Sequence, residues 1–550
     1  MDVSGANSTV EAAQAWSPLV AVWMFGCIAV GQLLWRKSTR EVRVAPSRFT
    51  LSWRDSDEYL ALVVLVAVAV ACGWQSWVIA ATGDESSNIE PQFWSNWYMA
   101  WESRSSPPLF RTVIHILAPI KHRFVMRLPA LAAGVGALAL LYQMLRRRAS
   151  THVAQWLLVA VAGSALILGY SIEQKSYTLW LLLLLGCHRA AASALRGRRT
   201  MWAQFSLLAA LAMLTHYLSI AWLFGYVLWA WWESREDLKD VVLALLPGAL
   251  AVAPMALPIL TLDEPVSEGP GAHALSSWLQ ASAPAALIPG GIVGAAALFL
   301  LRPIEHVRGT HMADAALPFL LATGIVGAVL AATGGAIHAR FLMPVLPISA
   351  LAAAGRMPRP MRDWNRNDRA ILAFVALLSI ATGFARIGPV AVATASNPVQ
   401  RALQMVADRP PPKIRIVQPP WTLHVALYEA SGERDMLHGA QGDELLRWSL
   451  VQDGIKWGTL RLRPTVDSYD KVLATYGEFE LWSLAGPEEP GQPAPIEAWT
   501  GGHCVQTVRI GNPDRTIPGP WAHVWRCRAK TAGNDQSPRT APRAPAGQKP

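Results

Sequence analysis

Apolar residues come in long uninterrupted runs in this chain, rich in Leu, Ala and Val and without alternation of polar and apolar positions. About 20 such residues make a helix that crosses a bilayer, and a helix satisfies its own backbone polar groups in hydrocarbon; a barrel strand would alternate. Runs of this kind centre on 17–35, 59–81, 125–145, 153–170, 177–195 and 201–216, then 217–232, 240–261, 284–301, 314–333, 341–355 and 370–386. The pattern predicts an all-α polytopic membrane protein with about twelve transmembrane helices. Past residue 386 it changes. Residues 387–528 alternate β-type runs such as Lys413–Val417 and Lys471–Tyr476 with Pro and Gly turns, which predicts a small α/β or β domain. Residues 529–550, rich in Pro, Ala, Gly and polar residues, predict a disordered tail. The chain thus divides into an extra N-terminal helix with a basic loop (1–58), a transmembrane domain (59–386), a soluble domain (387–528) and the tail (529–550).

Charge orients the helices. Arg36, Lys37, Arg40, Arg43, Arg48, Arg54, Arg146 to Arg148, Arg196, Arg198, Arg199, Arg235, Lys239, Arg302, Arg308, Arg356, Arg359, Arg362, Arg366 and Arg369 fall in alternate loops. That is about 21 basic residues against about 6 in the remaining loops, a bias that marks the richer side as cytoplasmic. The amino terminus, the loop after the second helix and the C-terminal domain are then outside. Only 16% of residues are charged, and the net charge of +10 reflects these loops meeting an anionic inner leaflet, not nucleic-acid binding. Met1 to Ala15 has no basic leader, so the first helix reads as retained. The predicted location is a bacterial-type plasma (inner) membrane.

Of five Cys, Cys27, Cys72 and Cys187 fall in apolar runs as small hydrophobes. Cys504 and Cys527 fall in the outer domain, where two readings stand: a disulfide in an oxidising compartment, or two free thiols. No CxxC, His-rich or HExxH spacing indicates a metal site; no cofactor is obligatory, and a divalent cation is compatible but not indicated.

The chemistry gathers on the outer side. Asp84 and Glu85 directly follow the run 59–81, where a carboxylate has left hydrocarbon yet stays beside the membrane. The loop behind them carries Phe93, Trp94, Trp97, Tyr98 and Trp101 at helical spacing, amphipathic aromatics suited to the headgroup level. Pro107 and Pro108 break that interfacial helix, and a second apolar stretch runs from Phe110 to Ile120. The result roofs a cavity, or else is a plain interfacial anchor. Glu173, Lys175 and Tyr177 lie in one outer turn, His216 and Tyr217 in another, and Arg340 just ahead of the eleventh run. An acid, two cations and a His at the outer ends of separate helices suit a phosphate and a hydroxyl acceptor. Each also has a structural reading: Lys175 and Arg340 snorkelling to headgroups, His216 or Asp84 capping a helix.

At these residues the chain resembles the GT-C superfamily of membrane glycosyltransferases, in the family 39-like branch of protein O-mannosyltransferases, lipid A aminoarabinose transferases and bacterial single-sugar transferases. The likeness rests on Asp84-Glu85, Pro107-Pro108-Leu109, Arg127-Leu128-Pro129, Glu173-x-Lys175-x-Tyr177, Thr215-His216-Tyr217 and Arg340-Phe341-Leu342-Met343-Pro344, in that order over residues 59–356. Two departures stand out. Ser106 occupies a place where the branch often has His, a departure that bears on acceptor handling, and Lys175 one where it usually has Arg, which bears on phosphate binding. Lys is a point charge without the guanidinium fork.

The resemblance implies transfer of one sugar from a polyprenyl-phosphate donor to an acceptor hydroxyl on a lipid, polysaccharide or protein at the outer face. Asp84 is then the general base, Glu85 and Glu173 supporting acids, Lys175 and Arg340 the donor phosphate ligands, and Tyr177, His216, Tyr217, Pro107 and Pro108 the pocket. A hydroxyl gives up its proton only as the new bond forms, so an ionised, positioned carboxylate suffices. Besides donor and acceptor, the expected partners are membrane lipids, and no nucleic acid. Two other classes compete. A transporter or flippase of lipid-linked sugars would favour ionisable groups at the bilayer midplane and repeated halves, and here the charges lie at one face. An oligosaccharide ligase using a polyprenyl-diphosphate donor would want a large basic outer loop.

Overall fold

The structure is a computed structural model. It describes residues 58–78, 107–120, 122–195, 200–233, 235–260, 343–356, 366, 369–370, 372–374, 376–381, 415–418, 435–439, 445–451, 454–457, 473–474, 477–483, 504–510 and 522–528. The expected helices at 17–35, 284–301 and 314–333, the aromatic loop from Phe93 to Trp101, and the tail lie outside those residues. Helices and strands fall into separate compact units.

The helical unit contains α1 (Tyr59–Val78), α2 (Pro108–Leu117) running into a 3-10 turn (Ala118–Ile120), and α3 (Arg123–Arg146). These are followed by α4 (Thr151–Ala162), α5 (Ala165–Ile172), α6 (Tyr177–Ala194), α7 (Thr200–Met213), α8 (Ser219–Glu233), α9 (Leu238–Leu260) and α10 (Val345–Arg356). Among the described residues α1 and α3 are long and apolar enough to cross a membrane, with α4 and α5 making a third span if counted together. The observed helices coincide with the apolar runs except at 153–170. That run is two helices bent by 60°. Gly163 closes α4, and the Ser164 hydroxyl accepts the Leu166 N–H and starts α5 afresh, so a small-residue pair with a local cap replaces one turn of helix.

Packing centres on α6, which lies against α3 and α7, with α9 on the other side of α7. Trp180, Trp202, Trp222, Phe205 and Tyr226 are fully buried there, whereas Val66, Val70, Trp74, Phe224 and Trp231 are exposed on the outside of the bundle. Large apolar side chains inside and outside together are what a helix in lipid requires. At one end of the bundle Glu58 meets Arg146 at 3.5 Å, and Arg148 reaches the Leu351 carbonyl at 3.3 Å and His188 Nε2 at 3.5 Å. The opposite end holds the turns α5–α6 and α7–α8.

Among the described residues of the second unit, seven strands form one mixed sheet ordered β4-β3-β2-β1-β5-β7-β6. They are β1 (Arg415–Gln418), β2 (Asp435–Gly439), β3 (Leu445–Val451), β4 (Gly454–Trp457), β5 (Glu478–Ser483), β6 (Cys504–Ile510) and β7 (Ala522–Arg528). Central β1 is parallel to both β2 and β5. The β-type run Lys471–Tyr476 is described only at its second third. Leu473 and Ala474 are helical, Gly477 turns the chain at φ 76° with its N–H on the Leu473 carbonyl, and the strand starts at Glu478. Cys504 and Cys527 face each other across β6 and β7 and are joined as a disulfide.

Ion pairs fix the register of this sheet. Glu480, buried, lies opposite Arg415 and pairs with it at 3.1 Å while also accepting the Trp482 indole N–H. Next to it, Glu478 accepts from Arg526 and Arg528, each at 3.0 Å. The Arg526 hydrogen bond, then that of Arg528, holds the Glu478 carboxyl below the usual carboxylate range, with partial burial opposing.

Two predictions concern the fold. A Cβ added at Gly248 on α9 would lie 2.9 Å from Ala210 Cα and 3.0 Å from Met213 Sδ on α7. Gly248→Val should therefore destabilise the bundle by ~1–3 kcal/mol, read as a lowered detergent-solubilised melting temperature. Glu478, with its folded pKa depressed, contributes stability that is present above the unfolded glutamate pKa and lost as pH falls through the lower folded value. Glu478→Gln should remove that acid-side loss, read by hydrogen exchange in β5 and β7 across pH 3–6.

Candidate functional site

The α5–α6 turn is short and tight. Glu173 leaves the end of α5 with extended backbone, and its carbonyl accepts the Lys175 N–H at 2.8 Å. Gln174 and Tyr177 are buried; Glu173, Lys175 and Ser176 are half-buried. The Ser176 carbonyl then accepts the Trp180 N–H at 2.8 Å, which begins α6. Thr178 in its first turn donates to the Ala130 carbonyl at 2.8 Å, fixing α6 against α3.

The α7–α8 turn is built to meet it. The Thr215 hydroxyl donates back to the Leu211 carbonyl at 2.7 Å, ending α7, and His216 Nδ1 accepts the Leu218 N–H at 3.2 Å ahead of α8. His216 does cap a helix start, as its structural reading supposed. An Nδ1 that accepts leaves the proton of a neutral ring on Nε2. The ring also stacks on Trp180, with centroids 4.5 Å apart and 21° between planes, and lies 5.5 Å from Tyr177. Tyr177 in turn packs edge-on to Tyr170 at 4.7 Å. The Trp180 indole N–H donates to Ser219 Oγ at 2.8 Å, and Ser219 donates to the Ala212 carbonyl at 2.6 Å. Three aromatic rings and a serine thus bind the two turns into one floor.

The third predicted segment joins this floor through its backbone. Pro108 is the first residue of α2, a position where its missing N–H costs nothing, and the Leu109 N–H donates to the Leu214 carbonyl at 2.9 Å. The face of α2 bearing Phe110 and Ile114 packs on Met126 and Ala130 of α3. Arg111 shares that face and is only 3% exposed. The nearby Tyr217 hydroxyl oxygen is buried and has no hydrogen-bond partner among the described residues.

A second buried arginine works at the neighbouring corner. Arg127 Nη1 donates to the Ser76 carbonyl at 2.9 Å, clamping the last turn of α1 to the start of α3, and Trp77 lies 4.8 Å from His122. From that clamp the chain runs on toward Asp84. Asp84, Glu85 and Arg340 themselves lie outside the described residues; Met343 and Pro344, just after Arg340, form the turn that opens α10.

Of the predicted site residues, Pro107, Pro108, Glu173, Lys175, Tyr177, His216 and Tyr217 are therefore found at one end of the bundle, on turns tied to each other. Arg111, buried on α2, was not singled out in the sequence. The signal was available, since Pro107, Phe110, Arg111 and Ile114 repeat at the spacing of one helix face, and a charge on an apolar face is the informative exception. Among the described residues no group of His, Cys, Asp and Glu is arranged to hold a metal ion.

No protein-family model and no curated protein matches the sequence. Solved structures do. The crystal structure of apo ArnT from Cupriavidus metallidurans superposes with a TM-score of 0.53 at 13% identity, covering 84% of this chain and 97% of that one. The same protein bound to undecaprenyl phosphate gives 0.52 at 12% identity, over 86% and 98%. The S. cerevisiae protein O-mannosyltransferase Pmt1-Pmt2 complex bound to the sugar donor gives 0.28 at 13% identity, over 37% and 32%. The nearly full-length match shows that the chain shares its fold with ArnT.

One prediction tests the aromatic floor. His216→Ala removes a helix cap and a ring stack together and should cost ~1–2 kcal/mol, seen as a lower melting temperature, whereas His216→Asn keeps the cap and should recover part of the loss.

Proposed function

We propose that this protein is a membrane glycosyltransferase that moves a single sugar from a polyprenyl-phosphate donor to an acceptor hydroxyl at the outer face of a plasma membrane. The observation that carries the reading is the fold shared along almost all of a protein captured with undecaprenyl phosphate. The clustering of Glu173, Lys175, Tyr177, His216 and Tyr217 at one bundle end supports it, because a lipid-borne phosphate presents its sugar at that level.

In this mechanism the acceptor oxygen attacks the anomeric carbon. Asp84 takes the hydroxyl proton as the new carbon–oxygen bond forms, and the bond to the lipid phosphate breaks, releasing polyprenyl phosphate. Charge grows on the departing phosphate, where Lys175 and Arg340 stabilise it as preorganised cations. Glu85 and Glu173 orient the acceptor and these cations. The Arg127 clamp fixes where the chain leaves α1, and so the start of the loop that carries Asp84. The His216, Tyr177 and Trp180 stack holds the Lys175 turn against the floor.

Purified protein in lipid nanodiscs, given an undecaprenyl-phosphate sugar and membrane extract as acceptor, should transfer the sugar and release undecaprenyl phosphate. Asp84→Asn should lower turnover ~100- to 10,000-fold with little effect on donor KM. Full turnover in that variant would sink the base assignment.

A further inference from the structure

We propose that Gln75 and Ser76, in the last turn of α1, form a sugar-recognising element that takes hydroxyl groups of the sugar carried by the donor lipid. The inference rests on the glycosyltransferase reading and adds two ligands to its donor site. Its starting point is the buried stripe of α1. Ala61, Leu65, Val68 and Cys72 recur at helical spacing on that stripe, and Gln75 and Ser76 continue it. Four apolar positions are thus followed by two polar ones, 5% and 0% exposed. Gln75 Oε1 and Ser76 Oγ are buried and have no hydrogen-bond partner among the described residues. An unmet amide and an unmet hydroxyl are each costly to bury, and a folded chain rarely keeps two side by side without a use for them.

Contacts along the helices place this pair at the bundle end that holds the Lys175 turn. α1 and α3 run in opposite directions, because Glu58 meets Arg146 at one end and Arg127 donates to the Ser76 carbonyl at 2.9 Å at the other. One turn along α3 from Arg127, the Ala130 carbonyl accepts the hydroxyl of Thr178, which follows Lys175 at the start of α6, at 2.8 Å. On another flank α1 meets α5, where Cys72 Sγ lies 3.9 Å from the Leu168 carbonyl. Both helices run toward the same end from that contact. Ser76 is as far beyond Cys72 as Ile172, the last residue of α5, is beyond Leu168, so at an equal rise per residue the pair comes level with the end of α5.

The two orphaned atoms select the ligand by what they need. An amide oxygen only accepts, and a serine hydroxyl both donates and accepts. A phosphate diester oxygen only accepts and offers Gln75 Oε1 nothing, and a polyprenyl tail has no hydrogen to share. A sugar hydroxyl donates to the amide oxygen and exchanges a hydrogen bond with Ser76. The donor's sugar is bonded directly to the phosphate assigned to Lys175, so it is the hydroxyl-bearing group that arrives at this end together with that phosphate.

The test is equilibrium binding to the full-length protein in nanodiscs, with bare undecaprenyl phosphate and undecaprenyl phosphate bearing glucose, mannose, galactose or arabinose as probes. Wild type should bind at least one glycosylated lipid ~10-fold tighter than the bare one. Ser76→Ala and Gln75→Leu should each remove ~3- to 10-fold of that preference and leave bare undecaprenyl phosphate unchanged. Each variant deletes orphaned polar atoms, so its melting temperature should hold or rise, which separates loss of ligand from loss of fold. Monodeoxy versions of the preferred sugar test the contact itself. One of them should bind wild type more weakly than its parent does, and bind Ser76→Ala as well as its parent does.

Equal affinity of wild type for the bare lipid and every glycosylated one overturns the proposal, and so does an undiminished preference in the folded variants. A loss confined to the acceptor KM in the transfer assay, with donor binding unchanged, also overturns it, since the hydroxyls recognised then belong to the acceptor. Sugar transfer by wild type alongside an undiminished preference in the variants removes this inference and leaves the glycosyltransferase standing. A sugar preference lost in the variants, with no transfer by wild type from any of these lipids, removes the enzyme reading and keeps the sugar-recognising element.

Discussion

A bilayer interior offers no hydrogen-bond partner to a backbone, and the architecture of the helical unit follows from that constraint. Every apolar run must close its own hydrogen bonds as helix, so polar chemistry is driven to the breaks between helices. Where a break occurs inside a run, as at Gly163 and Ser164, a side chain caps the restart. Where it occurs at the bundle end, the freed backbone groups are met by Thr215, His216 and the Leu109 to Leu214 bond. The caps that satisfy helix ends are thus the same residues that surround the candidate site.

This gives His216 two functions in one place. Its Nδ1 is committed to the Leu218 N–H and its ring to Trp180, which makes it a poor mobile base and a good wall. Of the buried cations, Arg127 is directed at a helix carbonyl and is structural. In the unit of strands charge sets pairing instead. There Arg415 with Glu480, and Arg526 and Arg528 with Glu478, fix strand register at the centre of the sheet, and the Cys504 to Cys527 disulfide joins its last two strands.

The helices were legible in the sequence because hydrophobic run length is a one-dimensional quantity. The observed ends at Tyr59, Arg146, Tyr177, Ala194, Glu233 and Leu260 fall within a few residues of the apolar runs. The bend at Gly163 was not legible, since the composition stays apolar on both sides and only the local cap shows the break. The run Lys471–Tyr476 shows the same limit: its composition is β-type, but Leu473 and Ala474 are helical and pairing starts at Glu478, after the turn at Gly477. Turn residues at Pro107, Lys175 and His216 announced themselves by being polar or proline between apolar runs.

By itself the sequence determined that the chain is a bundle of membrane helices, the order of its motifs, and the gathering of its candidate chemistry in the breaks between apolar runs, because each of these depends on residue type along one line. Which side chains meet was decided only by the tertiary structure. The stack of His216 on Trp180, the clamp of Arg127 on Ser76 and the Leu109 to Leu214 backbone bond join positions far apart in the chain. Helix crossing sets those pairings, through contacts as close as that of Gly248 with Ala210, and a linear pattern carries no record of which faces cross.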